Sequence, residues 1–178
     1  MTTFVLQYTK QFSRWSFTMD DKTNVSRLLS QKKIKFQTHH LDITEALSGV
    51  EMAKMLNQNP EQVFKTLVTV GKTKTNYVFV IPVAEELDLK KAAKCVGEKS
   101  IEMIKSKELL PLTGYVHGGC SPIGMKKAFK TTIHQTAKNF DTIIFSAGKI
   151  GYQVQMNVTD LEKVIRLGYG DLIKKGDA

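Results

Sequence analysis

Two β-branched, apolar runs in the middle of the sequence constrain its fold more than any other feature. They cover residues 63–70 and 77–83, and the polar segment 71–76 separates them. Runs of this composition around a short glycine-containing connection predict two antiparallel strands joined as a hairpin. We expect this hairpin to supply the central pair of strands.

Helix and strand signals alternate on both sides of the hairpin. Thr23 can cap a helix, and residues 34–38 alternate like a strand. The further signals are a capping box at 48–51 with a helix through Leu56, Asn59 capping a helix at Pro60, a helix from Asp88 to Gly97, a strand at 101–104, a helix capped by Ser106, a short strand signal around His134, strands at 142–145 and 152–156, and a final helix whose capping box is 159–162. Short helices and turn-joined strands predict a single compact α+β domain on a largely antiparallel or mixed sheet, rather than a Rossmann fold.

The chain length and charge narrow the class of protein. The 178 residues suit one domain, and 26 Lys and Arg against 17 Asp and Glu give a net charge of +9, which favours a polyanionic partner. Few of the cations are arginine, so sequence-specific reading of duplex DNA is disfavoured and diffuse phosphate contacts are favoured. The longest apolar stretch, 77–84, is too short to span a membrane.

The cysteines and the N-terminus complete this outline. Two cysteines without metal-ligand spacing predict neither a disulfide scaffold nor a metal site, and they fit the reducing cytoplasm. Residues 1–18 contain no acidic residue and no clear periodicity. We interpret them as an N-terminal extension that is unstructured or mis-annotated, with the folded domain covering residues 19–178.

Two glycine-bearing loops, residues 115–124 and 146–151, are unusual in composition. Neither has the spacing of a P-loop or of a dinucleotide-binding fingerprint. Paired glycines such as Gly118 and Gly119 allow a ligand to approach the backbone, whose N–H groups can then point at an oxyanion or a carbonyl. The alternative is that both loops are simply tight turns.

Lys65 is the second unusual feature, because it lies inside an apolar run. A strand would place it on one face with Val63 and Leu67. If that face is buried, the lysine can act with a lowered pKa or hold a substrate oxygen as a cation. If the face is exposed, the side chain simply reaches solvent along its apolar stem.

Cys120 lies beside the glycine pair, with His117 three residues before it. This arrangement allows a nucleophile and base, although a small apolar filler is the commoner role of a free cysteine. The adjacent His39 and His40 would point to opposite faces of a strand, so a shared metal ion is not expected.

Residues 22–173 resemble the YbaK/EbsC family of aminoacyl-tRNA deacylases, which is related to the editing domain inserted in bacterial prolyl-tRNA synthetases. The resemblance rests on five motifs in the same order: KTNV at 22–25, VFKTLV at 63–68, LKKAAK at 89–94, TGY at 113–115 with GGCSPIG at 118–124, and FDTI at 140–143 leading into SAGK at 146–149.

The resemblance implies a compact α+β fold with a mixed, barrel-like sheet and surrounding short helices. It also implies a cytoplasmic enzyme, without cofactor or metal, that clears mischarged Cys-tRNA(Pro). Cys-tRNA(Cys) is a further candidate substrate. The implied partner is the acceptor end of tRNA, with prolyl-tRNA synthetase as a second candidate. Neither DNA nor a membrane is an implied partner.

Several site residues follow from the same resemblance. Lys65 falls on the functional lysine of the family as the catalytic residue, and Thr66 follows it. The resemblance assigns substrate binding to Thr66, Gly118, Gly119, Ser146 and Gly148. In that family the thiol of the substrate is thought to attack its own ester carbonyl, so that no enzyme nucleophile is needed. Lys65 would then orient the ribose and carbonyl oxygens, while N–H groups near the glycine pair stabilise the oxyanion.

Two departures from the family pattern bear on specificity. Leu41 stands where some members carry Tyr, and Gln153 stands near an Asp of other members. These departures leave open a deacylase for another small amino acid. Two further alternatives are a non-catalytic module that binds tRNA or a synthetase, and a thioester hydrolase that uses Cys120.

Overall fold

The computed structural model describes residues 23–176, so the predicted extension 1–18 and the domain start at Met19 lie outside the described residues. Its helices are α1 (Asn24–Gln31), α2 (Gly49–Met55), α3 (Leu89–Val96), α4 (Ser106–Thr113) and α5 (Val158–Leu161), with a 3-10 helix at Gln135–Asn139. Its strands are β1 (Phe36–His40), β2 (Phe64–Gly71), β3 (Asn76–Pro82), β4 (Ile101–Met103), β5 (Lys130–His134), β6 (Thr142–Ser146), β7 (Tyr152–Asn157) and β8 (Leu167–Gly170). None of the helices in this range is long and apolar enough to cross a membrane.

The strands form two sheets. One has three antiparallel strands in the order β1-β7-β6, and the other has five strands in the order β4-β2-β3-β5-β8. The β2–β3 hairpin is the centre of the larger sheet, whose β3–β5 and β5–β8 pairs are parallel. The predicted hairpin and the predicted α+β fold with a mixed sheet are both confirmed.

The two sheets meet just before β2. Val63 and Ile144 form a parallel bridge, and the Ile144 N–H donates to the Gln62 carbonyl at 3.0 Å. Further along β2, the same edge pairs with β4 from Thr69 onward. The sheets thus form a partly open barrel, and the edge of β2 between these two contacts faces a gap.

Three apolar clusters hold the sheets and helices together. The largest fills the space between the sheets and includes Phe64, Val80 and Phe145. A second lies between α3 and the larger sheet, around Phe79. A third, small cluster packs α2 on the junction of the sheets through Ala53, Val63, Val83 and Ile144. Because strand residues alternate, β2 sends Phe64 inward and sends Lys65 to the outer face that carries α2 and α3.

The predicted helix caps are mostly confirmed. Thr23 and Ser48 each form a capping box, and Asp88 accepts hydrogen bonds from the first turn of α3. Gly97 ends α3 in the left-handed conformation, in agreement with its position in the sequence. The sequence therefore determines these helix ends through local hydrogen bonding.

Two predicted boundaries near the N-terminal half are wrong. The first strand begins at Phe36 instead of residue 34, because Lys33 turns the chain with φ 57° and the Ile34 N–H still donates to Leu29 of α1. No helix begins at Pro60. The Asn59 side chain accepts from the Glu61 N–H at 3.0 Å, which closes a turn that leads directly into the bridge at Val63.

The predicted N-caps of α4 and α5 are also wrong, by one and two residues. Ser106 is the first residue of α4 and Lys105 is its N-cap, while Asn157 rather than Thr159 caps α5. Asn157 ends β7, so its side chain can accept from the Thr159 N–H where the strand turns into the helix. No local signal predicts strand β8, since glycines occupy half of its four positions.

Candidate active site

Side chains from both sheets meet on the outer face at the sheet junction. Lys65 and Ser146 each lie two residues beyond the bridge between Val63 and Ile144, so both project to the same face. Ser146 in turn lies opposite Gln153 in the β6–β7 pair. The fold therefore brings Lys65, Ser146 and Gln153 onto one surface, although they are far apart in sequence.

Lys65 lies on β2 between Val63, which belongs to the cluster under α2, and Leu67, which packs against the cluster under α3. It is half-buried, and burial lowers its pKa below the ordinary value, while the nearby Glu86 and Glu85 act against that shift. Within residues 23–176, its ammonium has neither an ion pair nor a hydrogen bond. A partly desolvated ammonium without a partner is suited to binding the oxygens of a ligand.

Ser146 carries a buried hydroxyl without a hydrogen-bond partner among the described residues. The same holds for the hydroxyl of Thr66. A buried hydroxyl that makes no hydrogen bond destabilises the fold, so each needs an explanation. For Ser146 the outer face offers one, since a ligand beside Lys65 would lie within reach of the same surface.

Thr66 lies on the opposite face of β2 from Lys65, because consecutive strand residues alternate. Its side chain is therefore directed with Phe64 and Val68 toward the interior cluster. Backbone N–H and C=O groups of alternate residues point to the same edge of a strand. The carbonyls of Gln62 and Val68 accept hydrogen bonds on the edge of β2 that faces away from β3, so the backbone of Thr66 points to that edge too, into the gap between the sheets. Its geometry thus favours a backbone contact with a ligand over a side-chain contact.

Gln153 is buried and held by a second glutamine. The Gln58 amide donates to the Gln153 side-chain oxygen at 2.8 Å. Gln58 follows α2, and its own side-chain oxygen is buried without a partner among the described residues. This side of the site is polar and uncharged, and sequence reasoning missed Gln58 because no motif contains it.

The glycine pair positions its loop against two other loops. Gly118 has φ 86°, and a Cβ there would stand 2.4 Å from the Cβ of Ala46. A Cβ at Gly119 would stand 3.2 Å from the backbone nitrogen of Ile150. The two glycine-bearing loops therefore touch, and Ala46, in the segment before α2, lies against one of them.

The two glycines differ in the use of their N–H groups. The Gly119 N–H donates to the Val116 carbonyl at 3.0 Å and closes a turn. The Gly118 N–H donates to no acceptor in residues 23–176. Gly118 is therefore the member of the pair that can offer a backbone donor to an oxyanion.

Gly148 has a packing reason for its identity. With φ 93°, it lies where a Cβ would stand 2.8 Å from the ring of Tyr115, whose hydroxyl donates to the Ile123 carbonyl at 2.6 Å. Tyr115 thus ties the two glycine-bearing loops together. Similarly, Leu41 is fixed by its N–H, which donates to the Gly151 carbonyl at 2.8 Å.

Cys120 does not have the environment of a nucleophile. It is buried, and burial raises the pKa of its thiol to about 12, whereas His117 is exposed. His39 and His40 do point in opposite directions: His39 hydrogen-bonds with Gln155 at 2.7 Å, and His40 stacks on Tyr152. Between residues 23 and 176, no three His, Cys, Asp or Glu side chains are placed to hold a metal ion.

Fold and site together define a small α+β protein with a candidate ligand site on its outer face, built around a lysine that has no partner within residues 23–176. The sequence matches the aminoacyl-tRNA editing domain family over residues 44–164, and the chain belongs to this family. An Enterococcus faecalis protein whose name proposes a Cys-tRNA(Pro)/Cys-tRNA(Cys) deacylase, EbsC, is 45% identical over 136 residues, which are 76% of this chain and 83% of that protein. The family expected from the sequence motifs is confirmed.

Solved structures support the same fold. A proposed trans-editing enzyme for prolyl-tRNA synthetase superposes with a TM-score of 0.73 at 20% identity, over 87% of this chain and 100% of that one. A hypothetical protein, APE2540, superposes with a TM-score of 0.78 at 16% identity, over 85% of this chain and 100% of that one. At these identities the likeness concerns the fold.

Proposed function

We propose that this protein is a trans-editing deacylase that cleaves the ester of mischarged Cys-tRNA(Pro), with Cys-tRNA(Cys) as a second substrate. Membership of the aminoacyl-tRNA editing domain family and the name of the Enterococcus faecalis relative support this proposal. The observation that carries it is the partly desolvated Lys65, which lies on one face with the Ser146 hydroxyl, both without a partner among the described residues. Both groups bind oxygens, and an aminoacyl ester on a ribose is rich in them.

Each site group has a role in positioning this ester. The Lys65 ammonium holds the ribose and carbonyl oxygens, and the Ser146 hydroxyl supplies a further hydrogen bond. The free Gly118 N–H donates to the carbonyl oxygen as negative charge develops on it. Fixed donors of this kind stabilise the transition state because they need no reorganisation during the reaction.

The substrate supplies its own nucleophile. Its sulfur attacks the ester carbonyl carbon, a C–S bond forms, and the ester C–O bond breaks. The ribose oxygen leaves with the proton that the thiol gives up, which yields a free tRNA end and a cyclic thioester that water then hydrolyses. The buried Cys120, with its pKa raised to about 12, is consistent with a protein that supplies no thiolate.

A separate editing protein has a physical rationale. A synthetase pocket that accepts proline cannot reject cysteine, which is similar in volume, by more than about 1–3 kcal/mol. A second site that tests the thiol chemically removes that error. Prolyl-tRNA synthetase is accordingly the partner that we propose beside tRNA, and we propose a cytoplasmic location because such a protein acts in translation.

The amino acid preference is the finer part of this proposal. Gln153 is neutral and already accepts from Gln58 at 2.8 Å, where other members carry an acid nearby. The pocket therefore lacks a carboxylate at this position for the substrate α-ammonium. Selection for cysteine then relies on the thiol reaction more than on a charged contact.

Release of cysteine from Cys-tRNA(Pro) by the purified protein tests the proposal, with Ala-tRNA(Pro) in parallel. Lys65→Ala removes the ammonium, and Lys72→Ala is the matched control, since Lys72 is an exposed lysine just after the same strand. We expect rapid loss of cysteine, spared alanine, and a loss of at least ~100-fold in rate in Lys65→Ala alone.

Other outcomes would replace the proposal. Survival of both esters would favour a module that binds tRNA or a synthetase without catalysis. Faster loss of alanine would identify a deacylase for another small amino acid, with Leu41 and Gln153 as the residues to exchange. Deacylation that depends on Cys120 would indicate a thiol hydrolase.

A further inference from the structure

A basic groove lies at the end of β1 that is remote from the site. Its volume is about 510 Å³, and its lining is Lys32, Lys33, Ile34, Lys35, Asp160 and Lys163. The Asp160 carboxylate is occupied by Lys163 at 2.9 Å. Lys32, Lys33 and Lys35 are exposed and have no ion pair within residues 23–176. The groove therefore has an excess of uncompensated positive charge.

The lysines of the groove are presented by a fixed turn. Lys32 caps the end of α1, Lys33 adopts the left-handed conformation at φ 57°, and the Ile34 N–H donates to the Leu29 carbonyl at 3.0 Å. Lys35 is then followed directly by β1. A backbone held in this way lowers the conformational cost of binding a ligand at the lysine side chains.

Polar residues connect the groove with the site along one face of the smaller sheet. Lys35, Gln37 and His39 alternate onto the outer face of β1, and His39 lies opposite Gln153 in the pairing with β7. Gln153 lies opposite Ser146. Four residues along β1 and two strand spacings across the sheet separate Lys35 from Ser146 by roughly 16 Å.

We propose that this groove binds backbone phosphates of the RNA strand whose aminoacylated 3′ end occupies the site. The inference rests on the proposed function and adds to it a binding surface and a direction for the strand. Lysine ammoniums are compact charges that bind phosphates without reading bases, and three unpaired ones at one place offer up to three contacts. The strand runs from Ser146 across Gln37 and His39 to the groove.

The test compares two triple variants of the full chain. K32Q/K33Q/K35Q removes the groove charges, and K72Q/K74Q/K99Q removes three exposed charges near the β2–β3 turn and includes Lys74, which shares the left-handed backbone of Lys33. Affinity for uncharged tRNA(Pro) is measured at ~50 and ~200 mM salt. Each phosphate contact makes affinity fall about 2.6- to 3.5-fold between these two salt concentrations. Loss of three contacts should therefore make the drop in tRNA affinity about 20- to 40-fold smaller than in the native protein.

A second substrate separates this inference from the proposed function. Cysteinyl-adenosine carries the ester without any phosphate. The groove variant should cleave it at the native rate and lose at least ~10-fold in kcat/KM on Cys-tRNA(Pro), whereas Lys65→Ala should lose both activities. If the native protein cleaves neither ester, the proposed function fails, and the tRNA affinities still decide the role of the groove.

Equal affinity and equal salt response in the two triple variants would overturn the inference. So would a groove variant that binds tRNA normally but no longer binds prolyl-tRNA synthetase, since the groove would then serve an acidic protein surface.

Discussion

Replacing Gly118 by alanine tests the contact between this glycine-bearing loop and the segment before α2. Two separate costs arise at this position. The backbone has φ 86°, which only glycine adopts freely, and the new Cβ would stand 2.4 Å from the Cβ of Ala46. The two costs can be measured separately, because the chain contains another glycine that has a positive φ without a close neighbouring atom.

That glycine is Gly97, with φ 74° and no atom beyond its own and the adjacent residues within 4 Å of the position that a Cβ would take. Gly97→Ala should cost about 1–2 kcal/mol, which is the strain of left-handed backbone in an L-residue. Gly118→Ala adds an overlap that resembles overpacking, about 1–3 kcal/mol, and should therefore cost about 2–5 kcal/mol in all. Adding Ala46→Gly removes the overlapping Cβ, so the double variant should return to about 1–2 kcal/mol.

The assay is urea unfolding of these variants and the native protein, with deacylation of Cys-tRNA(Pro) on each. Activity should fall in Gly118→Ala and recover partly in the double variant, because the loop returns toward its place against the segment before α2. The reasoning is refuted if Gly118→Ala costs no more than Gly97→Ala, or if Ala46→Gly restores nothing.

Three further predictions concern single side chains. Cys120→Ala should keep full deacylation while losing about 1 kcal/mol of stability, as a buried filler would, and a dead variant would restore the nucleophile hypothesis. Lys65→Met should abolish activity yet unfold at a urea concentration no lower than the native protein, because burial lowers the pKa of Lys65 and so opposes its charged form up to high pH. Stability should fall as pH drops below about 6.5. Burial lowers the pKa of His134 in the folded protein, where its Nδ1 accepts from the Leu172 N–H. The imidazole therefore takes up a proton more readily in the unfolded chain, which acid then favours. His134→Gln should flatten this pH dependence in unfolding curves, and an unchanged profile would assign it to another group.

Local signals make part of the fold predictable. The β2–β3 hairpin and the caps at Thr23, Ser48 and Asp88 depend on residues close in sequence, and the sequence predicts each of them. Predicted boundaries are wrong where a neighbouring element decides them, as at Lys33, where the end of α1 delays β1 by two residues. Strand β8 is held by its parallel pairing with β5, a contact that its own four residues do not indicate.

The candidate site is predictable to a similar extent. Lys65 is visible as a charge within an apolar run, and the glycine loops are visible by composition. Gln58 and Ala46 are not visible in the sequence, because their place in the candidate site arises only from folding. Gln58 donates a hydrogen bond to Gln153, and Ala46 lies against Gly118. Such contacts depend on tertiary structure, which no spacing along the chain encodes.

The location of the site follows from the way the sheets part. The edge of β2 pairs with β6 before Lys65 and with β4 from Thr69 onward, and Thr66 between them directs its backbone to the gap. An open sheet edge normally has to be covered, because its N–H and C=O groups otherwise remain unsatisfied. Here the gap lies beside an ammonium and a hydroxyl that also lack partners among the described residues, so one ligand would satisfy all three. In the proposed function, the ester is the ligand that would satisfy these groups, and the stability that the free protein loses by leaving them unpaired would be recovered when the substrate binds.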